Sequence, residues 1–413
     1  MDNLTHTLLG LVVGETVARS TRGSSELNPD LRRTLFVTVM TIGSNVPDLD
    51  LIPSRILDSK LNYLLHHRGH THTIVGAIVL SLLLYWLCAL WCRWRKRPLA
   101  RVDRLQLIGV GFVAATLHIA LDATNSYGVH PFWPLDNRWY FGDAVFIVEP
   151  MFWAASAPLV FLLRTLWAKA FVAFALVAGV GLSVSTGMVP AALCGVLAAL
   201  TLVMLAVGKF ASARTALIVT IATWLVIDGG FAYASSVAAD RTSALAAKTF
   251  PNETLNDHVL TPMPANPFCW SVILVQSSAE RWTVRRASLA LKPEWFTASE
   301  CPSRGDPTQG TAPIESIDAS NTNEVRWINE VSQQVTVLRD WVNKDCDAAA
   351  FMHFVRAPWL GRTSDGVVLG DLRFDNERGL SFAEFRLSEE RSSCMWYVPR
   401  WTPPRMELLE SRQ

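Results

Sequence analysis

Long apolar runs dominate the first part of the chain. Residues 73–92 (TIVGAIVLSLLLYWLCALWC) contain no charged side chain. A helix of that length can cross a hydrocarbon layer of about 30 Å. Runs of the same kind, and a shorter one at the start of the chain, predict an all-α polytopic membrane domain of about eight helices. The expected helices lie near residues 4–19, 34–52, 73–92, 105–121, 145–163, 170–189, 190–207 and 215–233.

The pattern changes at about residue 235, where Pro, Asn, Asp and Arg become frequent. Branched and aromatic residues then alternate with polar ones in short stretches, which is typical of strands. Residues 323–354 have the pattern of one or two helices. We therefore expect a transmembrane domain over residues 1–234 and a soluble α+β domain over 235–413. The expected strands lie at 269–276, 282–291, 366–374 and 380–387.

Charge indicates an orientation but no nucleic-acid partner. The formal net charge is +1, which gives no electrostatic attraction for nucleic acid. Basic residues concentrate in RWRKRPLARVDR (93–104), and such loops stay cytoplasmic. Counting helices from this loop places both the amino terminus and the C-terminal domain outside, in a bacterial inner (cytoplasmic) membrane crossed several times. Four cysteines follow residue 235, so one or two disulfides are possible there, with the pairing left open.

Ionisable residues from five separate segments fall at the same outer depth of this topology. Such residues are costly within a membrane, so they are candidates for function. His118 and Asp122 are four residues apart and share one face of a helix. Histidines with carboxylates and no nearby cysteine favour zinc or a similar divalent ion. The predicted metal ligands are His6, Asp48, His67, His72, His118 and Asp122, with room for two or three ions.

Four further residues have the chemistry to assist hydrolysis at such a centre. Arg68 and Arg138 could bind the oxygens of a phosphoryl group. Asp50 and Asp143 could act as a general base or orient a ligand histidine. The same cluster also suits a metal or proton transporter, or an envelope scaffold with a structural metal. A transport path needs polar groups across the whole bilayer, whereas the inner halves of the predicted helices are almost entirely apolar.

Five motifs of residues 1–153 resemble the YdjM-type family of membrane-bound metal-dependent hydrolases. In order, they are MDNLTHTLLG, NVPDLD, HRGHTHT, HIALDATNSYG and WP…R…D…FIVEP. The resemblance implies metal-dependent hydrolysis and a distant relationship to zinc-dependent phospholipase C and single-strand nucleases, in which a helical His-x-x-x-Asp pair binds metal. His118 and Asp122 match that pair, whereas Glu149 stands where Asp is expected. With Arg68 and Arg138, it also suggests a phosphoester of a lipid or lipid-linked substrate, cleaved at the outer (periplasmic) face.

Overall fold

The chain forms two compact units that are not contiguous in sequence. The computed structural model describes residues 1–20, 27–52, 59–303, 309–388 and 394–410. The first unit comprises Met1–Asp50, Arg68–Trp133 and Val145–Phe231. The second comprises Leu51–His67, Pro134–Ala144 and Ala232–Gln413. Two short segments from the N-terminal half therefore fold with the C-terminal part.

In the N-terminal half, the regular elements that the structure describes are helices, and residues 123–149 form none. Two short 3-10 turns, Val46–Asp50 and His70–His72, lie at the polar motifs. The helices are α1 (Asn3–Ser20), α2 (Pro29–Gly43), α3 (Lys60–His66), α4 (Ile74–Trp94), α5 (Arg101–Asp122), α6 (Pro150–Ala155), α7 (Leu159–Leu162), α8 (Leu166–Ser185), α9 (Ala191–Phe210) and α10 (Ala213–Thr249).

Five of the described helices, α4, α5, α8, α9 and α10, are long and apolar enough to cross a membrane. The expected number of about eight is not confirmed. Helix α1 carries ionisable side chains, including Glu15, and α2 has only 15 residues. The run at 145–163 forms two short helices, since proline lacks the N–H that an uninterrupted helix needs. Pro150 begins α6, and Pro158 directly precedes α7.

Glycines allow α1 and α2 to approach closely. A Cβ atom at Gly10 would lie 2.8 Å from Cα of Thr41, and one at Gly14 would lie 3.0 Å from Cα of Val37. The two glycines are one turn apart, which is the small-residue spacing found where membrane helices pack backbone to backbone. This packing sets the position of His6, one turn before Gly10.

The second unit contains two antiparallel sheets. Trp270, Leu274, Leu289 and Trp327 of the first sheet pack against the end of α10, around Ala246. The first sheet has the order β1 (Thr254–Met263), β2 (Asn266–Ser277), β3 (Arg281–Ala290) and β4 (Val325–Gln334), and the second has β5 (Pro358–Thr363), β6 (Gly366–Asp371) and β7 (Glu384–Leu387). The second unit also contains helices α11 (Val335–Lys344), α12 (Cys346–Phe351) and α13 (Met406–Leu409), together with α3 from the N-terminal half.

The predicted C-terminal domain of sheets is present, with one error in its helical part. Strands β2, β3, β6 and β7 overlap the four predicted strands. The helical prediction for residues 323–354 was wrong for the first part of that range. Strand β4 occupies residues 325–334, and its side chains alternate between buried and less buried positions. Strands β1 and β5 were not predicted. The four cysteines pair as Cys269–Cys301 and Cys346–Cys394.

Candidate metal centre

The last turn of α5 supplies His118 and Asp122, which point to the same side of the helix. Both side chains are fully buried. The Nδ1 atom of His118 lies 2.8 Å from the carbonyl oxygen of Ser44, just after α2. A carbonyl can only accept, so Nδ1 carries the proton and donates it. The Nε2 atom of His118 is therefore the nitrogen that can bind a metal.

The turn His70–His72 supplies the second imidazole. The Nδ1 atom of His72 lies 3.1 Å from the hydroxyl of Thr71 and 3.3 Å from Oδ2 of Asp50. The Thr71 hydroxyl itself donates to Asp50 at 2.7 Å. These contacts hold the ring of His72 so that Nε2 faces away from Asp50. Asp50 thus orients the ring of His72, and its predicted roles of orienting a metal ligand or acting as a general base stay predictions.

Four ligand atoms converge from separate elements. The Nε2 atoms of His72 and His118 are 3.1 Å apart. Oδ1 of Asp48 lies 3.4 and 3.5 Å from them, and Oδ2 of Asp122 lies 3.2 and 3.4 Å from them. A tetrahedral ion with bonds of about 2.0–2.1 Å needs ligand atoms about 3.3–3.4 Å apart. The arrangement therefore fits one tetrahedrally coordinated divalent ion.

The charged groups of the two turns favour a positive charge among the four converging atoms. Burial alone would lower the pKa of His72. Hydrogen bonds to the carboxylates of Asp122, Asp48 and Asp50 outweigh burial and raise the pKa of His72 to about 10. Burial alone would raise the pKa of Asp48, but the hydrogen bonds from His118 and His72 hold it below its usual value. Without a metal, a proton on His72 takes the place of the positive charge, and metal binding must displace it.

Arg68 lies against the centre in a strained backbone conformation. Its φ of 60° is in the left-handed region, which costs a non-glycine residue about 1–2 kcal/mol. The amide N–H of Arg68 donates to Asp50 at 3.0 Å, and its carbonyl oxygen lies 3.3 Å from Nδ1 of His130. These two contacts hold the backbone so that the buried guanidinium pairs with Oδ1 of Asp122 at 3.0 Å.

His6 adjoins the four converging ligand atoms without being one of them. Its ring stacks on His118 with centroids 3.8 Å apart, and its Nε2 lies 3.3 Å from Oδ1 of Asp122. Within the described part of the chain, Nδ1 of His6 has no hydrogen-bond partner. The α-amino group of Met1 also contacts Oδ1 of Asp122. His6 thus shares Asp122 with the candidate centre, and its role as a ligand stays a prediction.

Three further predicted residues belong to the second unit. His67 is buried and stacks on Tyr63, with centroids 5.1 Å apart. Asp143 forms a two-pronged ion pair with Arg356, with both N···O distances 2.8 Å. The roles predicted for His67 as a ligand and for Asp143 in catalysis stay predictions.

The third, Arg138, lies on the surface with 67% of its side chain exposed, and pairs with Asp136 at 2.6 Å. Its predicted role in binding a phosphoryl group also stays a prediction. Glu149, where an aspartate was expected, caps the start of α6 by accepting the N–H of Met151 at 3.0 Å.

Sequence reasoning missed Ser44 and Asn125. Ser44 acts through its main-chain carbonyl, which leaves no trace in residue type. Asn125 is buried, and its Oδ1 accepts a hydrogen bond from Arg68 at 2.9 Å. Its position three residues after Asp122, in a motif already singled out, was the available signal.

The fold and the site together define a membrane protein with candidate spanning helices and a buried His/Asp group that could hold a metal ion. Residues 1–191 match the family described as YdjM inner membrane protein, which confirms the resemblance inferred from the motifs. The chain is also 25% identical over 139 residues to "Uncharacterized protein YfhP" of Bacillus subtilis (strain 168). That alignment covers 34% of this chain and 39% of the relative. No solved structure matches.

Proposed function

We propose that the protein is a multi-pass inner-membrane hydrolase that depends on a divalent metal, with its site at the outer face. Its proposed substrate is a phosphoester of a lipid or lipid-linked molecule. The observation that carries this proposal is the convergence of two imidazole nitrogens and two carboxylate oxygens at distances that fit one metal ion. The contact of Arg68 with the ligand Asp122 adds a cation where an anionic substrate would bind.

The donor set favours zinc or a similar borderline ion, because imidazole and carboxylate without thiolate suit such metals. Bound there, the ion would supply Lewis acidity for hydrolysis. The chain's own residues hold the ligands in place: Asp50 orients His72, and the carbonyl of Ser44 orients His118. The converging atoms account for one ion, and the expectation of two or three ions is kept as a proposal.

The sidedness is inferred from charge. His72 directly precedes α4 and Asp122 ends α5, so both lie at the ends of these helices away from the connecting segment. That segment carries the basic cluster 93–104, which favours the cytoplasm. The site would then face the outside, near lipid headgroups. The two disulfides of the second unit favour an extracytoplasmic location for that unit, because disulfides persist in oxidising compartments.

A second candidate is a non-catalytic scaffold with a structural metal. One observation favours it: four protein donors already complete a tetrahedral shell, as in structural zinc sites, whereas catalytic sites keep an open position. Turnover distinguishes the two candidates, since both require the same ligands.

The test uses the purified full-length protein in detergent, with bound metal counted and activity assayed on a panel of phospholipids and phosphodiesters. Wild type is compared with Asp122→Ala and His118→Ala. His70→Ala is the matched control, because His70 lies in the same turn and packs edge-on against Trp133. Metal-dependent turnover that both ligand variants lose supports the hydrolase. Stoichiometric metal without turnover favours the scaffold, and ion flux in liposomes would favour a transporter.

A further inference from the structure

Two buried side chains beside the candidate centre keep N–H donors that no described residue accepts. They are Nε of Arg68 and Nδ2 of Asn125. The two residues are only 3% and 4% exposed, respectively. Buried donors are nearly always paired in folded proteins, because an unpaired donor has lost its water without gaining a partner. Two of them on neighbouring residues indicate a missing acceptor.

The orientation of the Asn125 amide is determined by its neighbours. Its Oδ1 atom accepts from Nη1 of Arg68 at 2.9 Å and from the amide N–H of Tyr127 at 2.9 Å. Turning the amide over would set its NH2 group against two donors. Nδ2 therefore points away from these contacts and remains available.

The guanidinium of Arg68 also has some nitrogens with partners and one without. Its Nη2 atom pairs with Oδ1 of Asp122 and its Nη1 atom holds Asn125. Among the three guanidinium nitrogens, Nε is the one that has no partner among the described residues. It belongs to a charged group whose hydrogen bonds to anions are strong. The strained backbone of Arg68 is held by Asp50 and His130, as expected where a functional position must be maintained.

We propose that Arg68 and Asn125 form an anion-binding subsite beside the candidate metal centre, with Nε and Nδ2 as donors to the oxygens of a phosphoryl group. A phosphoryl group offers several acceptor oxygens on one centre, so it can satisfy both donors at once. This inference deepens the proposed function and rests on it for the view that the anion is part of a substrate. Because Nδ2 can only donate a hydrogen bond, Asn125 would then favour a ligand with an anionic oxygen over a ligand with a hydrogen-bond donor at that position.

The test measures binding of inorganic phosphate to metal-loaded, full-length protein by calorimetry. Asn125→Asp keeps the shape of the side chain and an oxygen that can accept from Arg68, but it replaces the donor Nδ2 by a repelling oxygen. We expect phosphate binding to weaken about 10- to 100-fold, the effect of losing a hydrogen bond to a charged group. Metal content should stay unchanged.

Asn45→Asp is the matched control for charge. The Nδ2 atom of Asn45 already has two acceptors, the hydroxyl of Thr7 at 3.1 Å and the carbonyl of Thr41 at 2.9 Å. This variant adds the same negative charge within the first unit, and phosphate affinity should change less than in Asn125→Asp. Should Asn125→Asp fail to fold, Asn125→Ser removes the same donor without adding charge.

The outcomes separate the subsite from the enzyme. Unchanged phosphate affinity in Asn125→Asp, an equal loss in Asn45→Asp, or no phosphate binding by wild type would each overturn the subsite. Asn125-dependent phosphate binding without hydrolysis of any panel substrate would overturn the hydrolase and leave the subsite standing. Nanodiscs with and without phosphatidate, used as competitors, distinguish a lipid headgroup from free phosphate as the source of the phosphoryl group.

Discussion

The Nε2 atoms of His72 and His118 face each other at 3.1 Å, in a buried position between the carboxylates of Asp48 and Asp122. The Nε2 atom of His118 carries no proton, because its Nδ1 donates to the carbonyl of Ser44. A metal cation between the two Nε2 atoms would take the place of the proton on His72, and the two carboxylates would balance its charge.

Asp50→Asn should weaken metal binding without abolishing it. Asp50 contacts His72 and Thr71 but is not among the four converging donors. Loss of a residue that orients a ligand typically costs about 10- to 100-fold in metal affinity. Competition with a chelator measures this change, and Asp48→Ala, which removes a ligand, should lose more. An Asp50→Asn protein with wild-type affinity would contradict the orienting role.

Gly10→Ala should destabilise the membrane domain. The new Cβ atom would lie 2.8 Å from the backbone of Thr41, so α1 and α2 would have to separate. We expect a cost of about 1–3 kcal/mol, the usual effect of overpacking, seen as a lower thermal midpoint in detergent. Gly109→Ala in α5 is the control, because a Cβ atom there meets nothing within 4 Å. Equal midpoints for the two variants would refute close packing at Gly10.

Arg356→Ala should unfold or strongly destabilise the second unit. The buried guanidinium pairs with Asp143 and Asp257, so its removal leaves Asp143 without its arginine and Asp257 with Arg405 alone. Breaking a buried ion pair in this way costs about 3–5 kcal/mol. The thermal midpoint followed by near-ultraviolet circular dichroism reports the loss.

Arg386→Ala serves as the control for that variant, since the pair of Arg386 with Asp365 is more than half exposed. Its midpoint should stay close to that of wild type. A small effect of Arg356→Ala would mean that the ion pair with Asp143 is dispensable for folding.

Glu384 should make the second unit less stable as pH rises toward neutrality. Burial, together with the neighbouring carboxylate of Asp375, raises the pKa of Glu384 to about 7 from an ordinary value of 4.5. Between these two values the folded chain holds a proton that the unfolded chain releases, so stability falls as pH rises. Below about pH 4.5 both states are protonated and the contribution is complete.

Glu384→Gln removes this titration while keeping the group uncharged. Its thermal midpoint relative to wild type should therefore increase as pH is raised from 4.5 to 7. A difference between the two proteins that is constant over this range would show that the pKa of Glu384 is not raised.

The sequence predicted the parts of the site that depend on local periodicity. His118 and Asp122 share a face because they are four residues apart on an apolar helix, and this needs no tertiary information. Asp48 and His72 lie in short turns, and only their common depth in the predicted topology suggested that they meet. The left-handed backbone of Arg68 and the amide orientation of Asn125 depend on contacts with Asp50, His130 and Tyr127, which no spacing in the sequence specifies.

The pattern of hydrophobic and polar residues along the chain also could not predict which segments fold into which unit. The described residues of 51–67 and the segment 134–144 fold with the C-terminal part through distant contacts. For example, the indole of Trp401 donates to the carbonyl of Leu65 at 2.8 Å. Proline positions, by contrast, could have shown that 145–163 would not form one continuous helix.

X-ray absorption spectroscopy of the zinc-loaded, full-length protein shows which atoms bind the ion. We expect a shell of nitrogen and oxygen ligands at about 2.0–2.1 Å, with the outer-shell scattering of two imidazoles and no sulfur. Removing His72 and His118 together should eliminate the imidazole signal. A sulfur shell from Cys88 or Cys92, or a shell of light atoms without imidazole scattering, would contradict the assignment of the centre to His72, His118, Asp48 and Asp122.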